Sequence, residues 1–585
     1  MRRSLVILLF VLALVFGITA SAAIAPSGPP TSIGTGGAAA SVETLATQAA
    51  IDTLKAGGNA VDAAVAAAGV LGVTEPFSCG LGGGGFMVIR TAKGKVTTID
   101  GRETAPDAMT PTSFWANGVP LLFDDARWSG LSVGVPGTPA TWELALKKYG
   151  TMKLKEVLQP GINVARNGFV IDQTFFDQTD QAKTWFDDIP ATAALYLDPD
   201  GSPHDVGTTF TNPDLARAYE LIARKGVKEL YHGQIARAIV DTVQHPVVAP
   251  TADAGHHWRP GLMTLHDLKE YRAPKRKPTH VNYRGLDVYS MGPPSSGGST
   301  VGEALNILEG YPNLSTMSRA DAFHYFLEAS RYSFADRNAY LADPHYFDVP
   351  LKGLLSEKFA DTRRAMITTT AAPGAVQPGD PYPYNTKGQA SVTATMSETT
   401  THLTTSDKWG NVVSYTFTIE STGGAGLVVP GWGFLLNNEL TDFNFGSDAT
   451  THPNRPEAGK RPRSSMAPTI VLKNKKPFLA LGSPGGSTII TTVLQILFDR
   501  IDQGMTLPQA IADPRASQRN ATNTGGEPAF LSSTLKTDLE AKGHHFNNGG
   551  EIGAATGIEF LAGGGVLAAA EPVRRGTGSA LVVKP

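Results

Sequence analysis

Residues 397–405, Ser-Glu-Thr-Thr-Thr-His-Leu-Thr-Thr, are the stretch with the clearest chemical potential in the sequence. A threonine at the start of a chain carries its own base, because its α-amine, whose unperturbed pKa is roughly 8, can take the proton of its hydroxyl. That amine is released only when the backbone is cut, so the chemistry implies a precursor that is cleaved. The same composition also suits an edge strand or a linker. The location, after a Pro- and Gly-rich segment, 372–390, and before strand-like sequence, favours a cleaved threonine.

Several other catalytic signatures are absent from the sequence. There is no HExxH motif and no Cys/His cluster, so we expect neither a metal nor another cofactor. The glycine-rich stretch 482–487 lacks the lysine of a phosphate-binding loop, and no Gly-x-Ser-x-Gly elbow lies between a strand and a helix. The single cysteine, Cys79, has no partner for an internal disulfide, and we expect it to be a small buried hydrophobic residue rather than a nucleophile.

The composition fits a large globular protein that is exported. Of 585 residues, 41% are hydrophobic and 18% are charged, and the formal net charge of −3 predicts no basic surface for nucleic acid. Residues 1–23 have the pattern of a signal peptide, with Arg2 and Arg3, an apolar run over 5–16, and then small residues. The run is too short to span a membrane, and an uncleaved anchor is the alternative. We therefore expect a periplasmic or extracellular protein with no membrane span in its mature chain.

The elements that would position the threonine can be predicted from local patterns. Asn59 is a suitable N-cap for an Ala-rich helix, and Gly410 and Asn411 lie between two strand-like runs, as in a hairpin turn. The predicted helices are 43–55, 60–72, 215–225, 319–336 and 494–502, and the predicted strands are 86–90, 96–100, 401–405, 412–419, 469–472 and 477–481. The chain after the segment 372–390 is therefore richer in strands than the chain before it.

A set of motifs that follow one another along the chain resembles the γ-glutamyltransferase family. Those similar to its large subunit are 57–63 (GGNAVDA), 82–87 (GGGGFM), 102–106 (RETAP), 293–298 (PPSSGG) and 335–337 (ADR). Those similar to its small subunit are 400–402 (TTH), 407, 410–411 (GN), 435–439 (LLNNE), 442–443 (DF), 463–469 (RSSMAPT) and 482–487 (GSPGGS). Each motif is weak alone, and together they run in the order of the family over about residues 40–580.

The resemblance implies an α+β fold of the N-terminal-nucleophile hydrolase type, which is a four-layer αββα sandwich. It also implies a proenzyme that cuts itself between Thr399 and Thr400. The signal peptide would then cover 1–23, the large subunit 24–399 and the small subunit 400–585. The mature protein would be a heterodimer of its own two fragments. Its partners would be a small-molecule γ-glutamyl donor and an acceptor, without a cofactor, a metal or nucleic acid.

The resemblance assigns catalytic roles to four residues. Thr400 would attack the preceding carbonyl during maturation and the substrate carbonyl afterwards. Thr418 matches the position whose hydroxyl contacts the nucleophile, and the alternative for it is an ordinary strand threonine. The N–H groups of Gly485 and Gly486 match an oxyanion hole, where one donor is typically worth about 3 kcal/mol of the barrier. Without the resemblance, this glycine pair would be interpreted as a turn.

Further residues match the substrate-binding positions of the family. Arg102, Ser464 and Ser465 would bind the α-carboxylate of a glutamyl group, since a planar guanidinium can contact both carboxylate oxygens. Glu439 and Asp442 would accept hydrogen bonds from its α-ammonium. For an isolated arginine or carboxylate, a surface ion pair is the more common role, so it is the joint match that favours ligand contact.

The function that the resemblance implies is cleavage of γ-glutamyl amide bonds, as in glutathione. An acyl-Thr400 intermediate would pass the glutamyl group to water or to an amino acid or peptide acceptor. One departure bears on the substrate: Glu420 stands where many members carry Asn, and its carboxylate can strengthen ammonium binding or weaken carboxylate binding. The alternatives are a cephalosporin (glutaryl-7-ACA) acylase of the same fold and an exported binding protein that never matures.

Overall fold

The computed structural model describes residues 30–385 and 400–584. The predicted signal peptide, 1–23, the end of the Pro- and Gly-rich segment, 386–390, and Thr399 lie outside the described residues. Among the helices of the two described ranges, none is long and apolar enough to cross a membrane.

Thirteen strands form two antiparallel sheets that are joined through the first strand. In chain order they are β1 (Thr31–Ser41), β2 (Gly84–Arg90), β3 (Val96–Gly101), β4 (Lys275–Arg276), β5 (Thr279–Tyr283), β6 (Leu286–Ser290), β7 (Thr401–Asp407), β8 (Val412–Thr418), β9 (Thr469–Lys473), β10 (Lys476–Gly482), β11 (Thr556–Phe560), β12 (Val566–Ala570) and β13 (Ser579–Lys584). The first sheet has the order β4-β3-β2-β8-β7-β1-β13, and the second has the order β1-β12-β11-β10-β9-β6-β5. Strand β1 belongs to both, because residues 31–34 pair with β12 whereas residues 37–41 pair with β7.

The two sheets stack face to face between two outer layers of helices. The main helices are α1 (Thr44–Lys55), α2 (Ala60–Thr74), α3 (Gly297–Glu309), α4 (Arg319–Tyr340) and α5 (Thr488–Ile501). Helices α1 and α2 cover the first sheet, and the other three cover the second. Met87 and Ile89 of β2 join the apolar cluster of α2, whereas Val88 between them packs with Ile470 and Leu472 of the second sheet. The order helix–sheet–sheet–helix confirms the predicted four-layer αββα sandwich.

Shorter elements complete the described chain. The other α-helices are Phe123–Arg127, Thr138–Tyr149, Leu154–Val157, Gln159–Asn167, Gln173–Asp187, Pro190–Tyr196, Pro213–Lys225, Lys228–His232, Gln234–Gln244, Leu265–Glu270, Leu351–Leu354, Glu357–Arg364, Leu507–Ala512, Pro528–Leu531 and Thr534–Glu540. Short 3-10 helices are Gly130–Ser132, Tyr382–Tyr384 and Glu439–Asp442. Small separate sheets are formed by Trp115–Ala116 with Val119–Pro120, by Phe169–Val170 with Thr209–Phe210, and by Ala516–Ser517, Thr524–Gly526 and Phe546–Asn548.

The predicted helices begin within two residues of their predicted starts, with one exception. Glu43 accepts hydrogen bonds from the N–H groups of the first turn of α1, and Asn59 does the same for α2. Helix α5 is the exception, because it begins at Thr488, six residues before the predicted start at 494. Its first turns are rich in Thr, Ile and Val, which have low helix propensity, and burial against the second sheet overrides that preference.

One hairpin turn lies at Gly410 and Asn411, as predicted, and a second lies in the gap between the predicted strands 469–472 and 477–481. Asn474 and Lys475 connect β9 to β10 with φ values of 51° and 64°, and two positive φ values are the signature of a tight type I′ turn. In the turn between β7 and β8, Gly410 has a φ of 91°. The Asp407 carboxylate there accepts hydrogen bonds from the N–H of Trp409 at 2.9 Å and of Asn411 at 3.0 Å. These turns fix the register of the strands that reach the centre of the molecule.

The segment that precedes the predicted cut is tied to both halves of the chain. The Gly379 N–H donates to the Asp336 carboxylate of α4 at 2.6 Å, and the Tyr340 hydroxyl donates to the Gly379 carbonyl at 2.7 Å. On the other side, the Val376 N–H donates to the Asn520 side chain at 2.7 Å, and that side chain donates back at 3.0 Å. The described part of the segment, 372–385, is therefore anchored at Val376 and Gly379.

Two histidines form a buried pair between α4 and the C-terminal part of the chain. Nδ1 of His324 lies 2.8 Å from Nε2 of His544, and Nε2 of His324 lies 2.8 Å from the carbonyl oxygen of Thr368. Burial lowers the pKa of both rings, and burial together with the nearby His324 lowers that of His544 to about 3. Both rings are therefore neutral at pH 7.

We expect the thermal midpoint to fall as the pH is lowered from about 6.5, the ordinary pKa of an unfolded histidine, toward about 3. In this window the unfolded chain binds more protons than the folded one, so acid favours unfolding, whereas above it the stabilisation is complete. His544→Gln removes one such group. The free energy of unfolding of this variant should therefore change less steeply with pH, by up to ~1.4 kcal/mol per pH unit. Scanning calorimetry between about pH 7.5 and about pH 5 measures the effect. The exposed His257 supplies the control His257→Gln, and equal flattening in both variants would contradict the expectation.

Candidate active site

The pairing of β7 with β8 places Thr400 opposite Thr418. Thr401 pairs with Phe417, so the residue before β7 faces the last residue of β8. The Thr400 hydroxyl donates to the Thr418 hydroxyl oxygen at 3.3 Å, and the N–H of Glu420 donates to the same oxygen at 2.8 Å. Thr400 is 3% exposed. The predicted nucleophile and its predicted hydroxyl partner are therefore neighbours in a buried site.

Arg575, close to the C-terminus of the chain, donates a hydrogen bond to Thr400. It lies in the loop between β12 and β13 with a φ of 49°, and its Nη1 donates to the Thr400 carbonyl oxygen at 2.9 Å. The preceding Arg574 is fixed by buried ion pairs with Glu527 and Glu571, the second at 2.8 Å. Sequence reasoning missed Arg575, because no motif singled out this loop and the residue is remote from Thr400 in the chain.

A small cavity in front of Thr400 brings together nine of the ten predicted site residues, all but Gly485. Its lining comprises Arg102, Thr400, Thr418, Glu420, Glu439, Asp442, Ser464, Ser465 and Gly486, with Met466 and Ile489 in addition. Its volume is about 20 Å³, which is room for about one water molecule, so an amino-acid head group would enter only if the side chains that line the cavity moved apart. The two apolar residues, Met466 and Ile489, were not predicted.

Arg102 is buried immediately after β3 and is surrounded by acceptors. Its Nη1 pairs with the Glu439 carboxylate, and its Nη2 pairs with the Asp442 carboxylate. Its Nε and Nη2 also donate to the carbonyls of Pro462 and Arg463, each at 3.1 Å. The family resemblance implies that Arg102 and the two acids bind opposite ends of a zwitterion, whereas in the structure they pair with one another. A bound zwitterion would exchange these internal ion pairs for its own.

Glu103 lies behind this cluster and is fully buried. Its Oε2 is 4.0 Å from Nη1 of Arg102. Burial raises the pKa of Glu103 to about 8, although the Arg102 charge opposes the shift. Glu103 is therefore protonated at pH 7.

Glu420 has an unusual backbone conformation. Its φ is 80°, in the left-handed region that costs a non-glycine residue of order 1–3 kcal/mol and that Asn tolerates better than Glu. Its carboxylate accepts hydrogen bonds from the Ser421 hydroxyl and the Asn438 side chain, which hold it in place. The backbone preference gives a physical reason for the Asn that many members of the resembled family have here.

The two serines of the predicted carboxylate site are held by the motifs at 293–298 and 335–337. Arg337 donates to the Ser465 hydroxyl at 2.7 Å and to the Ser296 hydroxyl at 2.9 Å. Ser296 in turn donates to the Ser464 carbonyl oxygen at 2.6 Å through its hydroxyl. The Ser464 hydroxyl oxygen accepts from the N–H of Met466 at 3.1 Å, so its own hydrogen can be donated into the cavity. Arg337 therefore acts by positioning a serine that lines the site.

Gly485 and Gly486 form the turn between β10 and α5. Their φ values are 123° and 55°, and a Cβ on Gly485 would come within 2.7 Å of the Thr488 hydroxyl, so this turn requires glycine. Within residues 30–385 and 400–584, neither glycine N–H donates a hydrogen bond to a protein acceptor. Two backbone donors at the start of a helix, with one of the glycines lining the cavity, can stabilise a developing oxyanion.

Comparisons with known proteins agree with this geometry. A family model described as Gamma-glutamyltranspeptidase matches residues 46–581. The chain is 38% identical to the glutathione hydrolase proenzyme of Escherichia coli (strain K12), over 96% of both chains, and 39% identical to that of Bacillus subtilis (strain 168), over 88% of this chain and 86% of the other. The structure resembles that of a cephalosporin acylase from Bacillus halodurans with a TM-score of 0.81, 28% identity and 97% and 99% of the two chains covered. The predicted family and fold class are confirmed: the chain is an enzyme with an N-terminal-nucleophile hydrolase fold, and it belongs to the gamma-glutamyltranspeptidase family.

Proposed function

We propose that this protein cuts itself before Thr400 and then uses Thr400 to cleave γ-glutamyl amide bonds, such as that of glutathione. The observation that carries the proposal is the arrangement around one cavity. The Thr400 hydroxyl contacts the Thr418 hydroxyl at 3.3 Å, and Arg102 with its two carboxylates lines the same cavity. The nucleophile therefore lies beside positively and negatively charged groups. An amino-acid head group needs both, because it carries a carboxylate and an ammonium group.

Maturation would begin with attack of the Thr400 hydroxyl on the carbonyl carbon of Thr399. The C–N bond between the two residues breaks as an ester forms, and the proton of the hydroxyl passes to the released amine. Water then hydrolyses the ester, which leaves a large fragment, 24–399, and a small one, 400–585. The new α-amine has an ordinary pKa of roughly 8, so a useful fraction is neutral near pH 7.

In the catalytic cycle, that amine would take the proton of the Thr400 hydroxyl while the oxygen attacks the γ-carbonyl of the donor. The N–H groups of Gly485 and Gly486 would bind the tetrahedral oxyanion. Collapse expels the leaving amine, which receives the proton, and leaves a glutamyl ester on Thr400. Water or the amine of an amino acid or peptide then attacks this ester and regenerates the hydroxyl. Thr418 would orient Thr400 in both reactions.

Recognition of the glutamyl head group would use the charges of the cavity. Arg102, Ser464 and Ser465 would donate to the α-carboxylate, and Glu439 and Asp442 would accept from the α-ammonium. The proposed partners are thus small molecules, a γ-glutamyl donor with water or an amino compound, without nucleic acid. We also propose export through the signal peptide at 1–23 and a heterodimer of the two fragments.

A second candidate function is that of a cephalosporin-type acylase. It is favoured by the similarity to the Bacillus halodurans acylase structure, with its TM-score of 0.81. A glutaryl group lacks the α-ammonium, so it would leave the carboxylates of Glu439 and Asp442 without a cation from the substrate. Because unpaired buried charges are costly, we place this function second.

We expect Thr400→Ala to abolish both chain cleavage and amide hydrolysis, since it removes the attacking oxygen, with at least ~10³-fold loss of activity. A denaturing gel should show one band near the full chain of 61.7 kDa. The wild type should give two fragments, the smaller beginning Thr-Thr-His-Leu by N-terminal sequencing. Thr401→Val is the control, because the buried Thr401 hydroxyl makes no hydrogen bond within the described chain. A single wild-type band would instead favour an unprocessed binding protein.

Replacing Arg102 tests its two roles separately. Arg102→Met leaves the buried Glu439 and the partly buried Asp442 without their counter-ion, so we expect destabilisation of about 3–5 kcal/mol, seen as a lower thermal midpoint. Arg102→Lys keeps the charge but loses the planar fork, so we expect a smaller loss of stability and a KM for γ-glutamyl-p-nitroanilide that rises about tenfold. The exposed Arg237 provides the control Arg237→Met. An unchanged KM in the lysine variant would argue against direct carboxylate binding.

Glu420→Gln tests how the extra carboxylate affects the choice of donor, because Gln preserves its shape. We expect the wild type to prefer γ-glutamyl-p-nitroanilide to glutaryl-p-nitroanilide by about 10²-fold in kcat/KM, since only the former has an ammonium. Loss of the Glu420 charge should reduce that preference by about three- to tenfold. A preference that increases would mean that Glu420 acts chiefly by repelling the substrate carboxylate. A wild type that prefers the glutaryl donor would favour the acylase function.

A further inference from the structure

We propose that the end of the sandwich opposite Thr400 binds the surface of a membrane that contains anionic lipids. Three hairpin tips meet at this end: 91–95 between β2 and β3, 408–411 between β7 and β8, and 473–476 between β9 and β10. The tips carry six exposed lysines and no Asp or Glu. These lysines, here named the lysine patch, are Lys93, Lys95, Lys408, Lys473, Lys475 and Lys476.

Arg90, the last residue of β2, joins the three tips. Its Nη1 donates to the Gly410 carbonyl oxygen at 2.7 Å, and its Nη2 donates to the Lys475 carbonyl oxygen at 3.1 Å. The Ala92 N–H also donates to the Asn411 side chain at 2.7 Å. Tips from both sheets are therefore fixed side by side, and the six positive charges lie on one surface.

The positive charge of the lysine patch is not neutralised by neighbouring acids. Within residues 30–385 and 400–584, none of the six lysines forms an ion pair with a carboxylate. Asp287 and Glu559 lie on strands that pair with β9 and β10, and they contact His280 at 2.9 Å and Arg500, respectively. The formal net charge of −3 for the whole chain therefore conceals one strongly positive end, which attracts anions.

An exposed tryptophan accompanies the charges. Trp409 is 48% exposed at the tip 408–411, and Nζ of Lys408 lies 4.8 Å from the centre of its ring. Tryptophan is enriched at membrane–water interfaces, where its ring lies among the head groups and long lysine side chains reach the phosphates. Hairpin tips are convex, so a small anion would contact one or two lysines, whereas a bilayer surface can contact all three tips at once. These features together match anionic lipid head groups in a bilayer.

Membrane binding at this end would leave the active site facing solvent. Thr400 lies immediately before the first residue of β7, and the tip 408–411 follows its last residue. The seven residues of β7 separate the two ends by roughly 20 Å, at ~3.3 Å for each residue. The inference does not depend on the proposed function, because the lysine patch shares no residue with the cavity in front of Thr400.

Vesicles of phosphatidylcholine with about 30% phosphatidylglycerol are the probe, and vesicles of phosphatidylcholine alone are the control. In co-sedimentation at ~0.1 M salt, the protein should bind the anionic vesicles at least about tenfold more tightly than the neutral ones. Raising the salt to about 0.5 M should release it, because the attraction is screened. Binding should also shift the tryptophan emission to shorter wavelength, and Trp409→Phe should abolish that shift.

Two matched triple variants test the lysines. Lys473→Gln/Lys475→Gln/Lys476→Gln should weaken binding to the anionic vesicles by about 10²-fold, since each lysine near such a surface contributes about fivefold. The control variant removes the same charge from three exposed lysines outside the tips and should bind as the wild type does. Its substitutions are Lys269→Gln, Lys352→Gln and Lys358→Gln.

Three results would overturn the proposal. The first is equal binding to the anionic and the neutral vesicles. The second is equal binding by the two triple variants, which would show that the tip 473–476 is not used. The third is release from the vesicles by an equal concentration of heparin or of a short DNA duplex, which would show recognition of polyanions rather than of a bilayer. The thermal midpoint and the hydrolysis of γ-glutamyl-p-nitroanilide should be unchanged in every variant, so a failure of this proposal is distinct from misfolding and from a failure of the proposed function.

Discussion

The antiparallel pairing of β7 with β8 is the constraint on which the rest of the site depends. Six residue pairs, from Thr401 with Phe417 to Ser406 with Val412, fix the register. A shift of one residue would turn every side chain to the other face of a sheet that is buried on both sides. Any other register would therefore have a much higher free energy. It sets Thr400 opposite Thr418, and a free amine at Thr400 would be held by the strand that follows it.

The burial of the site also determines how its charged groups are stabilised. An arginine as buried as Arg102 is stable only with acceptors around it, and here two carboxylates and two carbonyls satisfy its donors. Glu103 shows the opposite solution, because its carboxyl oxygens accept no hydrogen bond within the described residues and come no closer than 4.0 Å to Arg102. Burial raises its pKa to about 8, so it keeps its proton. The cavity therefore already contains ion pairs before any ligand arrives. A zwitterion can replace those pairs without leaving a buried charge unpaired, which a ligand of one sign cannot do.

Much of the fold could be predicted from local pattern, and the site largely from the order of its motifs. Asn59 and the turn at Asn474 are local signals, since a cap or a turn is decided by neighbouring residues. Helix α5 was predicted to start six residues late, because contacts with a distant sheet decide its first turns. Arg575 was missed for the same reason: its hydrogen bond to Thr400 spans the small fragment, and no spacing rule links the two. The pairing of Arg102 with Glu439 and Asp442 likewise could not be predicted, because these residues are far apart in the sequence and meet only in the folded chain.

The strand order also explains how a chain cut before Thr400 would stay together. Its single cysteine, the buried Cys79, cannot supply a disulfide between fragments. In the first sheet, β2 of the large fragment pairs with β8 of the small fragment over seven residues, and β1 lies between β7 and β13. Strands of the two fragments therefore alternate, and separating them would break backbone ladders on both sides of β1 and expose the core on both faces. Because Arg102 would belong to one fragment and Thr400 to the other, the interleaving that would join the fragments would also assemble the site.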